Sequence, residues 1–82
     1  MSHTPHELAE EFPDYKELLH ELKGNDAHFE RLSERYHEIN RAVHRAETNV
    51  EPTSDDHLIE MRKLRMQLKD EVYAELVKAA AG

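Results

Sequence analysis

Apolar residues fall at Phe29, Leu32, Tyr36, Ile39, Val43, Ala46 and Val50, in strictly alternating steps of three and four. That spacing keeps a single stripe on one side of an α-helix, the seam of a coiled coil, and predicts a helix over about 26–48. The residues between, among them Glu30, Arg31, Glu34, Arg35, Glu38 and Arg41, are good helix formers able to pair one turn apart. A second run, Leu58, Met61, Leu64, Leu68, Val72, Leu76 and Ala80, steps by close to one helical turn and predicts a helix over about 54–79, with Ala79 to Gly82 as its fraying end.

The two runs are separated by Val50-Glu-Pro-Thr-Ser-Asp-Asp56. Pro52 lacks a backbone donor and pushes Glu51 out of the α region, while Asn49 tolerates a left-handed conformation as the first helix ends. Thr53 or Ser54 can cap the next helix, and Asp55 and Asp56 suit the positive end of its dipole. A link of about five residues makes the two helices antiparallel neighbours. Pairing residues whose numbers add to about 104 sets Ala46 against Leu58, Val43 against Met61, Ile39 against Leu64, Tyr36 against Leu68, Leu32 against Val72 and Phe29 against Leu76. Nearly every apolar side chain then has a partner.

The same register continues backward through Leu22, Tyr15 and Leu8, with Leu18 and Leu19 beside it, which predicts a shorter helix over about 13–23 opened by Pro13. Gly24-Asn25-Asp26 offers a C-cap glycine followed by an N-cap, so a break at Gly24 that folds this helix back on the hairpin is favoured over a kinked continuation covered by a second protomer. Residues 1–11 read as a flexible acidic segment, and 12–80 as one helical domain. The fold class is all-α: an antiparallel two-helix coiled-coil hairpin with an additional short N-terminal helix.

The last helix carries a second stripe, Ile59, Met66 and Tyr73, seven residues apart. So wide an apolar arc exceeds what one neighbour covers. A domain of 82 residues also sits near the size at which a lone core supplies only about 3–5 kcal/mol. Association through Tyr15, Leu18, Leu22, Ile59, Met66 and Tyr73, as a homodimer or with another protein, is the expected source of added stability.

Composition narrows the chemistry. There is no cysteine, hence no disulfide, thiolate nucleophile or Cys-type zinc site. The start lacks the basic and apolar regions of a signal peptide and no run is apolar enough for a membrane span, so the expected address is the cytoplasm, without membrane contact. The net charge is −7, and no nucleic-acid partner is expected. Arg62, Lys63, Arg65 and Lys69 form a local basic patch, but Glu60, Asp70 and Glu71 are interleaved with them, as on an ion-paired, solvated helix face.

Seven histidines invite a metal reading, and Glu17-x-x-His20 and Glu34-x-x-His37 have the spacing of di-iron carboxylate bundles. With Tyr36 in the seam, Glu34 and His37 fall on a flank, and Glu17 and His20 lie off the stripe of Tyr15, Leu18 and Leu22. These are solvated helix faces rather than ligand sets, and no cofactor is expected. Ser2, Ser33 and Ser54 lack a nucleophile-elbow context, there is no Gly-rich phosphate loop, and a hairpin has little room for a cleft that desolvates a carboxyl group or takes a small-molecule substrate. No enzymatic activity is expected.

At Glu11-Phe-Pro-Asp-Tyr15, Leu22-Lys-Gly-Asn-Asp-Ala-His-Phe29, Tyr36-His-Glu38, Val43-His-Arg45, Val50-Glu-Pro-Thr-Ser-Asp55 and Leu68-Lys-Asp-Glu71 the chain resembles the YdcH family of small bacterial proteins. The resemblance spans roughly residues 8–77. It implies a cytoplasmic, helical, coiled-coil-like protein with no established activity, cofactor or catalytic residue. The expected role is a non-enzymatic interaction, regulatory or adaptor module that self-associates through an apolar helix face. Metal binding by the Glu/His pairs and nucleic-acid contact through the basic patch are the alternatives.

Overall fold

The computed structural model describes residues 4–48 and 53–81. Four helices follow in order: α1 (Leu8–Glu11), α2 (Lys16–Asn25), α3 (Ala27–Glu47) and α4 (Asp55–Ala81), with a single 3-10 turn at Pro13–Tyr15 between α1 and α2. Among the described residues there is no strand, and no helix is long and apolar enough to cross a membrane.

The long helices α3 and α4 pack against each other as an antiparallel hairpin. The pairs that cross between them, His28 with Glu75, Asn40 with Arg65 and Glu47 with Arg62, have residue numbers adding to between 103 and 109, close to the register expected from the apolar stripes. Phe29, Leu32 and Tyr36 from α3 and Leu68, Val72 and Leu76 from α4 form the buried core, and Val43 and Ala46 continue the buried line toward the turn. The expected turn around Asn49, Val50, Glu51 and Pro52 lies outside the described residues. Its downstream side is described: Ser54 Oγ accepts a hydrogen bond from the His57 amide at 3.2 Å and caps α4. Leu64 departs from the expected pairing. Set opposite Ile39 by register, it is 38% exposed.

The short helix folds back. Its break lies two residues beyond Gly24, at Asp26, whose backbone is extended and whose Oδ1 accepts a hydrogen bond from the Phe29 amide at 3.1 Å. Gly24 is inside α2 with an ordinary negative φ, so it is not the expected left-handed cap. Aspartate won the position because it can satisfy an orphan amide of α3 while the chain changes direction. α2, which leads into this break, packs on the hairpin, with Leu19 buried in the common core and Tyr15, Leu18 and Leu22 packed against it.

Residues 4–11 lie against the hairpin. Leu8 is 1% exposed and belongs to the same core cluster as Tyr36 and Leu68. Leu8 lies on the seven-residue register of Tyr15, Leu22 and Phe29, but a single apolar side chain in an acidic stretch does not by itself fix where the segment docks. The result is a third strut filling the open side of the hairpin.

Candidate functional site

The N-terminal segment is held by polar contacts from the hairpin. The Tyr36 hydroxyl donates to the His6 carbonyl oxygen at 2.6 Å, and Asn40 Nδ2, one turn further on, donates to the Pro5 carbonyl oxygen at 2.9 Å. Both side chains are fully buried. Arg65 reaches across from α4 to Asn40 Oδ1 at 3.3 Å, so the amide is engaged at both ends. Between them, His37 Nδ1 lies 2.6 Å from Glu7 Oε2. His6 adopts φ +64°, a left-handed conformation a non-glycine residue takes only when its surroundings require it. Here the requirement is that successive carbonyls face α3.

α4 supplies the second half of this clasp. Lys69 Nζ lies 3.0 Å from Glu11 Oε1 and 5.8 Å from the centre of the Phe12 ring, while His6 Nδ1 meets the same carboxylate oxygen at 3.2 Å. Burial works against the Glu11 carboxylate, but the hydrogen bonds and positive charge of Lys69 and His6 outweigh it and hold its pKa below the ordinary 4.5. Tyr36 moves the other way. Burial, reinforced by the nearby Glu11 and Glu7 charges and only partly opposed by Arg65, pushes its phenol up to about 12. It therefore serves as a donor at any ordinary pH.

The six residues singled out in the sequence divide. Tyr15, Leu18 and Leu22 are partly buried against the core, on the strut. Ile59, Met66 and Tyr73 lie on the outer face of α4, 47%, 60% and 48% exposed, and Val77 joins them at 41%. The two groups meet at Tyr73, whose ring Tyr15 approaches edge-on at 6.4 Å, and Phe12 stacks on the same ring at 5.6 Å. Phe12, Asn40 and the polar roles of Tyr36 and His37 were missed by the sequence reading. Asn40, one residue beyond the seam residue Ile39, was the one available signal, since a neutral amide beside an apolar seam is expensive to bury unless paired.

The basic patch is also divided by internal contacts. Arg62 pairs with Glu47 at 2.7 Å, Arg65 with Asn40 and Lys69 with Glu11. Glu34 and His37 line an open groove with Glu38, Arg41 and Arg45, and among the described residues no three His, Asp or Glu side chains come together in a way that could hold a metal ion.

Comparison with known proteins follows these boundaries. A family model described as "Protein of unknown function (DUF465)" matches residues 29–76, from Phe29 to Leu76, the pair that closes the open end of the hairpin core. Uncharacterised proteins named YdcH from Escherichia coli (strain K12) and Shigella flexneri are each 28% identical over 61 residues, covering 74% of this chain and 82% of theirs. No solved structure matches. The hairpin that carries the clasp and the open face of α4 is thus the shared part, and the chain belongs to the DUF465 family of YdcH-like proteins of unknown function.

Proposed function

We propose that this chain is a small non-enzymatic interaction module that associates with itself through the outer face of α4. The observation that carries the reading is that Ile59, Met66, Tyr73 and Val77 stay exposed after the N-terminal strut has folded onto the hairpin. Leu8, Leu18, Leu19 and Leu22 are placed in or against the core, and Phe12 and Tyr15 pack on Tyr73 yet leave it 48% exposed, so covering this strip calls for a second molecule. A non-enzymatic role is supported by the open form of the grooves among the described residues, and by the engagement of Glu11, the carboxylate that burial does affect, with Lys69 and His6. The nucleic-acid reading is weakened by the occupation of Arg62, Arg65 and Lys69 within the fold, and by the net charge of −7.

Sedimentation equilibrium from about 10 μM to about 1 mM tests the reading over the range in which weak association is measurable. The weight-average mass should rise from 9.6 kDa toward twice that value. A constant monomer mass across the range overturns it.

A further inference from the structure

The proposal of self-association leaves the geometry open, and the charges beside the strip specify it. Ile59, Met66 and Tyr73 recur every seven residues, so they stand in line along α4 at intervals of roughly 10 Å. One flank of this line carries Arg62 and Lys69, each paired internally with Glu47 and Glu11. The other carries Lys63 and Asp70, both exposed, neither forming an ion pair with another described residue.

Resting on that reading, we infer that two copies pair through α4 in antiparallel fashion about a two-fold axis at Met66. In such an isologous contact, residues whose numbers add to about 132 face each other. Met66 meets the partner's Met66, and Ile59 meets the partner's Tyr73. Like flanks meet in an antiparallel pair, so Lys63 faces the partner's Asp70, and the same contact recurs on the other side of the axis. The opposite flank brings Arg62 toward the partner's Lys69, a repulsion blunted by Glu47 and Glu11 within each copy. A parallel arrangement brings unlike flanks together, so Lys63 and Asp70 would face the partner's Arg62 and Lys69, already paired with Glu47 and Glu11 within each copy, and the two unpaired charges would not meet each other. Phe12 braces the Tyr73 ring from behind, so the strut helps to shape the seam it does not cover. With one apolar residue per heptad, the contact is weaker than that of a full coiled coil and belongs to the reversible class.

Charge reversal distinguishes this geometry from any other use of the face. Lys63→Asp and Asp70→Lys, at exposed sites, should each weaken self-association at low salt by roughly fivefold or more. Mixing the two variants should restore it, because both flanking contacts of the mixed dimer then join opposite charges. Met66→Glu should abolish association with unchanged helical circular dichroism. If Met66→Glu abolishes it but the mixture stays as weak as its components, the self-association reading stands and the antiparallel register is overturned. If Met66→Glu has no effect, both fall.

Discussion

The hairpin and the strut that closes it are built on opposite principles. Between α3 and α4 the contact is a continuous apolar seam whose members repeat every three or four residues, so many side chains share the energy and each is replaceable in kind. Between residues 4–12 and the hairpin the apolar contacts are Leu8 in the core and Phe12 on Tyr73, and the others are polar: two side-chain donors on main-chain carbonyls, an imidazole beside a carboxylate, and one lysine on a glutamate. The first kind of contact drives folding through area. The second adds little net energy but decides where a segment sits, since misplacing it leaves buried polar groups unmatched. A loss in the seam should therefore be global, and a loss in the clasp local.

The largest effect expected is from Leu76→Ala. Removing a fully buried leucine costs about 2–5 kcal/mol, enough in a domain of this size to leave little cooperative unfolding in a thermal melt followed by circular dichroism. Next is Asn40→Leu, which strands the Pro5 carbonyl and Arg65 for about 1–3 kcal/mol. Amide exchange should accelerate through residues 8–12 while α3 and α4 keep their protection; uniform acceleration would mean that seam and clasp form one unit.

Two titrations sharpen the contrast. Tyr36 has a folded pKa raised to about 12 from 10.0. Its stabilising contribution is complete below pH 10 and is lost as pH rises through the folded value. Alkaline absorbance should show one of the three tyrosines ionising near 12, and Tyr36→Phe should remove that step. Glu11 has the opposite sign. Its folded pKa lies below 4.5, so its contribution is present above that pH and is lost as pH falls through the lowered value. Glu11→Gln should flatten this acid limb. As its pair with Lys69 is partly solvated, the change at neutral pH should be no more than about 1 kcal/mol.

The smallest effect carries a sign. With a helical backbone at Gly24 and open space where a Cβ would stand, Gly24→Ala should stabilise the chain by about 0.5–1 kcal/mol. A left-handed cap at that position would make the same change destabilising.

What was legible in the sequence follows the same division. The seam could be read because Phe29, Leu32, Tyr36 and their partners repeat at helical spacing, and the cap of α4 could be narrowed to Thr53 or Ser54 because both follow Pro52, with Ser54 the one that caps. The fold-back of α2 was readable in kind but not in place: Gly24 and Asp26 both interrupt helices, and which acts depends on whether a free amide awaits the aspartate. The clasp could not be read. Its ligands on residues 5 and 6 are backbone atoms, present at every position, and Leu8, though on the register of Tyr15 and Leu22, does not announce them. The open face of α4 was visible as Ile59, Met66 and Tyr73, whereas the polar anchoring of the strut beside it depends on tertiary distances.

Because Tyr36 and Asn40 grip carbonyl oxygens, the receptor half of the clasp reads the course of the main chain at positions 5 and 6, while the side chain of His6 enters separately, through its left-handed backbone and its contact with Glu11. Segments of quite different wording can occupy it, provided one apolar residue follows at the place of Leu8. Searching distant sequences for such a closure by likeness of the leading residues will therefore fail. The tell-tale is a tyrosine and an asparagine spaced one turn apart on the receiving helix.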